Sequence, residues 1–357
     1  MSNPETGDQS PSTQTPGDHI PGGNPDAADF VYDELSYFSE NCAEYGLEFD
    51  GDGDVAVVRV RHELPDGRFA SALKWGEGEP ELVLLHGGAQ NAHTWDTVAL
   101  ALRPTAILAI DLSGHGHSSW RTDGAYSPEE NADDAAATID RYAPDATVVV
   151  GMSLGGLTAT ALAAKYPWLV RRLVVIDVTP GVDRDKAADV HAFIEGPQTF
   201  PSFTEIFERT MEFNPTRSSE SLRRGILHNA HRQSGGEWEW NYDRSLAPTA
   251  EVPDGGAPES ADAPGGDAPG GVSDAVSQED ATAEFAADLW IDVEDVRAPY
   301  LLVRGSLSPV VDDEDVAELM RRQPEARVVV VEGAGHSIQG DRPIELAEIL
   351  RSELAGG

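Results

Sequence analysis

The chain has 357 residues, with 63 Asp and Glu against 25 Lys and Arg, so it carries a formal charge of −38 while 40% of its residues are hydrophobic. The apolar fraction and length suit a globular protein of one or two domains with a substantial core. The charge argues against a nucleic-acid partner and against an anionic membrane surface, both of which reward a basic face, and no apolar run approaches the roughly 18 residues of a membrane span.

Only Lys74, Lys165 and Lys186 are lysine; arginine supplies the other basic residues. A carboxylate-rich surface of this kind is expected in a high-salt cytoplasm, where it keeps the protein hydrated while salt screens its self-repulsion. The competing expectation is an acidic protein with a cationic partner. A single cysteine, Cys42, can form neither an intramolecular disulfide nor a CxxC metal site. No Lys or Arg precedes Arg59, which speaks against a secretory or twin-Arg signal, so the expected location is the cytoplasm.

Met1 to Ala28 contains five Pro, four acids and no aromatic residue, and is expected to be a disordered tail. Val31, Leu35, Phe38, Cys42 and Tyr45 then recur at spacings of four and three, which predicts a helix with one apolar face and a buried thiol. Asp50 to Asp54 alternates Asp and Gly but has Val55 and Arg61 where a calcium loop needs Gly and Glu, so it reads as an acidic turn. Eight strands follow: Val55–Arg61, Phe69–Trp75, Leu82–His86, Ala106–Asp111, Thr147–Met152, Leu173–Val178, Tyr300–Arg304 and Arg327–Glu332. Helical stretches between the later strands imply an α/β fold with a mostly parallel sheet covered on both faces.

The alternation breaks from Asp183 to about Trp290. Residues 183–290 are therefore read as a helical cap inserted after the sixth strand, with residues 29–182 and 291–357 forming the core. Within the cap, residues 251–284 hold six Gly, four Pro, nine acids, no base and no aromatic, the composition of a flexible insertion. Tail and insertion together account for only thirteen acids, so the remainder still carries −25 and the excess belongs mainly to the folded body.

Gly151-Met-Ser153-Leu-Gly155-Gly156 lies between a strand and a helix-forming run. In that setting a GxSxG string makes a nucleophile elbow, a turn too tight for larger residues, with the Ser153 hydroxyl raised above the sheet beside a helix N-terminus. A serine nucleophile needs a base. His336 is the best placed of the ten histidines, on a Gly-rich loop just after the last strand. His86 opens the string His-Gly-Gly-Ala and reads as structural. His115 and His117 sit in a Gly-rich turn without a carboxylate or thiol to complete a ligand set, so no metal is expected there.

The strings HGGAQNAHTW (86–95), DLSGHGHS (111–118), GMSLGG (151–156), IDVTP (176–180) and GAGHS (333–337) run in an order that resembles the α/β-hydrolase superfamily, in its capped, esterase-like serine-hydrolase branch. The resemblance spans about Phe69 to Leu354 apart from the cap. It implies an acid to orient His336, and here the chain departs from the common pattern. Where an RGxxSD-like string usually supplies the acid, this chain reads Arg304-Gly-Ser-Leu-Ser308-Pro309. Asp177 resembles the acid of an esterase branch with a D-x-x-P string after the sixth strand; Asp312 or Asp313 is the alternative. The resemblance also implies an oxyanion hole from the backbone N–H groups of Leu154 and Gly88, with Gln90 and Asn91 either adding contacts or only stabilising the loop.

The expected activity is hydrolysis of a carboxylester or related acyl compound through an acyl-enzyme on Ser153, with no cofactor. The expected partner is a small molecule with an apolar acyl or alkyl part. The cap aromatics Phe200, Phe203, Phe207 and Met211 either contact that part or form the cap's own core. Alternatives are a lyase, synthase or carbon–carbon hydrolase using Ser153 and His336 for proton transfer, and a non-catalytic binding module.

Overall fold

A computed structural model describes residues 24–51, 55–182, 185–244 and 278–356. The core contains α1 (Phe38–Tyr45), β1 (Val57–Glu63), β2 (Phe69–Trp75), β3 (Leu82–Leu85), α2 (Asp96–Leu102), β4 (Ile107–Asp111), α3 (Pro128–Tyr142), β5 (Val148–Met152), α4 (Leu154–Lys165) and β6 (Leu173–Ile176). The cap follows with α5 (Ala188–Ile194), β7 (Thr199–Phe200), α6 (Phe203–Phe213), α7 (Ser219–Asn229), β8 (Ala230–Arg232) and β9 (Trp238–Trp240). The chain closes with α8 (Gln278–Asp295), β10 (Tyr300–Gly305), α9 (Asp313–Arg322), β11 (Arg327–Val331), α10 (Ile338–Asp341) and α11 (Pro343–Ala355).

Eight strands form one sheet in the order β1-β2-β4-β3-β5-β6-β10-β11, antiparallel at β1–β2 and β2–β4 and parallel elsewhere. The inner strands read as unbroken apolar runs, such as Leu82-Val-Leu-Leu85 and Val148-Val-Val150, because helices bury both faces. Register levels the ends of β5 and β6: Met152 pairs with Ile176, and Ile176 with Val303, so Ser153 and Asp177 step off the sheet side by side, next to the last residues of β10.

Each expected strand is present, with ends moved by at most two residues. Other expectations need correction. The first helix runs only from Phe38 to Tyr45; Val31 is 81% exposed in irregular chain before it, and Leu35 lies in the turn that leads into it. Residues 24–28 are not loose: both Asp26 carboxylate oxygens accept from the N–H of Phe203 at the start of α6, and one accepts from Trp238 Nε1 at 2.7 Å. The cap is not purely helical, since β7, β9 and β8 make a small antiparallel sheet. Helix α8 begins at Gln278, inside the expected insertion. Its Trp290 and Val293, with Val296 just after it, join the sheet's core cluster, so α8 belongs to the core and the boundary at 290 falls inside an element. The remainder of the expected tail, residues 52–54 of the acidic turn and residues 245–277 lie outside the described residues.

Candidate active site

Between β5 and α4 the chain reverses within one residue. A Cβ on Gly151 would lie 2.0 Å from the Gly155 carbonyl oxygen, and one on Gly155 would lie 2.4 Å from that of Leu85, so neither position admits a side chain. Ser153 between them adopts φ 52° and ψ −121°. Among the described residues the other non-glycine residues with positive φ are Ala89, at 57°, and Asp177, at 51°. All three stand in loops that leave the C-terminal ends of β3, β5 and β6. Strain of this kind costs about 1–3 kcal/mol per residue and persists where surrounding structure holds it for a purpose.

Asp177 is fully buried and accepts three hydrogen bonds: from the Gly305 N–H at 2.9 Å, from the Ser308 hydroxyl, and from His336, whose Nδ1 is 2.8 Å from Oδ2. A carboxylate already fed by two donors requires the proton of the third contact to sit on Nδ1, which leaves the Nε2 lone pair of His336 as the ring's basic site. Ser153, His336 and Gly88 line one cavity of about 300 Å³. The alternative acids are engaged elsewhere. Asp312 caps α9 by accepting from the Asp315 N–H at 2.9 Å and pairs with Lys186 at 2.9 Å, while Asp313 is exposed and pairs with Arg304 at 2.7 Å.

Leu154 is the first residue of α4, so its N–H has no acceptor within the helix. The loop carrying Gly88 is fixed by a pair of buried imidazoles. His86 donates from Nδ1 to the Gly87 carbonyl at 2.8 Å and accepts from the Leu112 N–H at 2.9 Å; His115 donates to the Ser113 carbonyl and accepts from the Ala89 N–H at 3.0 Å. Burial lowers the basicity of both, and burial together with the nearby His86 takes His115 down to about 3, so each stays neutral and can use one nitrogen as acceptor. Asn91 caps the short turn at Ala92–Trp95 by accepting from the His93 N–H, and its amide donates to the His228 carbonyl at 2.9 Å. Asn229 in turn donates to the Ala89 carbonyl at 2.6 Å, which ties cap helix α7 to the loop. Gln90 Oε1 accepts from the Gly87 N–H at 3.4 Å and from Gln339 at 3.2 Å.

Residues 82–349 match the family model described as Alpha/beta hydrolase family. The chain belongs to that family. The hydrolase is 41% identical to esterase Rv0045c of Mycobacterium tuberculosis over 329 residues, 90% of this chain and 96% of that one. A structure of that esterase, from a study of its inhibition by transition metals, superposes with TM-score 0.72 at 40% identity, covering 91% of this chain and 99% of the other. The 2-(acetamidomethylene)succinate hydrolase of Mesorhizobium japonicum is 26% identical over 286 residues, 80% of this chain and 91% of that one.

Several residues of the hydrolase site escaped sequence reading. Ser308 stands in the very string where an acid was missing, and its hydroxyl donates to Asp177 at the end of the neighbouring strand. His115 was set aside as part of a Gly-rich turn, yet its ring holds Ala89. The cap aromatics divide: Phe200, Phe203 and Phe207 are buried in the cap's own core, while Phe193, Phe213 and Trp240 line the cavity.

Proposed function

We propose that this hydrolase cleaves carboxylesters through an acyl-enzyme. His336 Nε2 takes the proton of Ser153 as its Oγ attacks the ester carbonyl, the N–H groups of Leu154 and Gly88 receive the oxyanion, and the leaving alcohol takes the proton from His336. Water then attacks the acyl group, again giving its proton to His336, and releases the acid. Asp177 holds the imidazole in the required tautomer and stabilises its charged form. The observation that carries this reading is the Asp177–His336 hydrogen bond facing a strained serine elbow in one cavity. The likeness to the M. tuberculosis esterase supports it.

Phe193, Ile194, Phe213 and Trp240 give one wall of the cavity an apolar character suited to an acyl or alkyl chain. In the same lining, Arg217 Nε and Gln339 Oε1 are buried without a hydrogen-bond partner among the described residues, a donor and an acceptor beside the polar part of a ligand. The carboxylate excess is read as adaptation to a high-salt cytoplasm. From the M. tuberculosis relative comes one further expectation, inhibition by transition metals. An ester chain-length screen in molar KCl, with Ser153→Ala as control, tests the reading: turnover of native protein absent in the variant is expected, and equal turnover in both refutes it.

A further inference from the structure

On the side of the Gly88 loop away from His115, α7 ends at His228 and Asn229. The His228 imidazole lies flat on that of His93, with ring centres 3.9 Å apart and planes inclined by 7°. Asp96 completes the group: its Oδ2 is 2.9 Å from His93 Nδ1 and 3.7 Å from His228 Nε2. All three side chains are buried, and one donor atom from each lies within 4.8 Å of the other two.

The outer nitrogens are held from behind. His93 Nε2 is 3.0 Å from Glu34 Oε1, whose carboxylate also pairs with Arg59, and His228 Nδ1 is 2.8 Å from the Tyr32 hydroxyl. Each ring therefore presents its inner nitrogen to the same carboxylate. Two atoms there have no hydrogen-bond partner among the described residues, His228 Nε2 and Asp96 Oδ1. Leaving such atoms unpaired in the interior costs about 1–3 kcal/mol apiece, so two of them on side chains that meet at one buried cluster call for an occupant.

We propose that His93 Nδ1, Asp96 and His228 Nε2 bind one divalent transition ion of the zinc type, joining the cap to the core. Two imidazoles and a carboxylate match such ions and disfavour magnesium and calcium, which take oxygen ligands. An oxygen behind each imidazole is the outer-shell arrangement that fixes tautomer and ring direction at metal sites. Parallel rings do not aim their lone pairs at one point, so binding opens the stack into a wedge, each ring pivoting about its anchored outer nitrogen until both inner nitrogens reach about 2.0–2.1 Å from the ion. The proton on His93 Nδ1 leaves to solvent. His93, Asp96 and His228 are among the residues lining the cavity, the side from which the ion and a water as fourth ligand would enter as the rings part.

The site bears on catalysis through Asn229, which follows His228 and holds the Ala89 carbonyl, and through Asn91, which holds the His228 carbonyl. This deepens the reading that transition ions inhibit the hydrolase, and rests on that reading only for its kinetic arm. The test titrates Co²⁺, then Zn²⁺, into full-length protein in molar KCl with excess Mg²⁺ to cover the surface carboxylates. The visible absorption of tetrahedral Co²⁺ and calorimetry report binding, and ester turnover is recorded in parallel. One equivalent bound is expected, with affinity at least about 100-fold weaker in His228→Ala and roughly ten-fold weaker in Tyr32→Phe, which keeps all three ligands. No tetrahedral spectrum, or equal affinity in native protein and His228→Ala, overturns the site. Failure of the hydrolase reading is read separately, as no ester turnover in metal-free protein.

Discussion

Two adjacent loops compete to supply the acid beside His336. The loop after β6 presents Asp177, fully buried at a strained φ of 51°, with a backbone amide, a hydroxyl and an imidazole converging on it. The loop after β10 and the first turn of α9 carry more acids, and the three aspartates are spent: Asp312 on the α9 N-terminus and Lys186, Asp313 on Arg304, Asp315 on the Asp312 N–H and Lys186. A carboxylate's position relative to donors, rather than its count or its place along the chain, decides what it can orient. The β10 loop keeps one part in the arrangement, Ser308, now a donor to the acid of its neighbour.

The sharpest way to break this contrast is Asp177→Asn, which preserves shape while losing charge and the ability to fix the tautomer. A fall in kcat of about 10³–10⁴-fold, with KM little changed, is expected from steady-state kinetics. Near-native turnover in that variant together with a loss in Asp312→Asn would move the acid to the other loop. Ser308→Ala removes one charge-assisted hydrogen bond from Asp177, worth about 1.5 kcal/mol, and kcat should fall roughly ten-fold; an unchanged kcat would reduce Ser308 to packing.

On the β10 side, Asp312→Ala deletes a helix cap worth about 1 kcal/mol and should lower the melting temperature by a few degrees while kcat stays within about two-fold. A ten-fold loss of kcat with the fold intact would give that loop a role it lacks here. The smallest effect concerns the acidic surface near the same helices. Burial first, and then Glu129, Asp295 and Asp288, raise the Asp292 carboxyl to about 6. A raised carboxylate costs stability above the folded value and nothing below the ordinary value of 3.8. Asp292→Asn should therefore raise the melting temperature by about a degree at pH 8 in low salt, with the gain vanishing near pH 4 and only reduced in molar KCl, which screens the neighbouring carboxylates but not the burial. Thermal scans at the two pH values check it; a gain confined to acid pH would reverse the sign.

Most of the sheet was legible because its inner strands are continuous apolar runs, and the serine elbow because glycines two residues to either side of Ser153 permit only that turn. Asp177 as partner of His336 was readable from the family's strings, though the three donors that hold it are long-range contacts between loops. The pair His93 and His228 was invisible: the residues are 135 positions apart in sequence, one on the loop after β3 and the other at the end of a cap helix. The start of helix α8 was obscured because the Gly-, Pro- and Ala-rich composition that precedes it in the sequence runs on to its first residues.

The measurement closest to the central claim is a rapid-quench mass spectrum of the protein mixed with a short-chain ester. Native protein should show one acyl adduct that maps to the peptide bearing Ser153 and accumulates in Asp177→Asn or His336→Ala only slowly, while Ser153→Ala shows none. Ester turnover at the native rate in Ser153→Ala, or an adduct on a different residue, would contradict it.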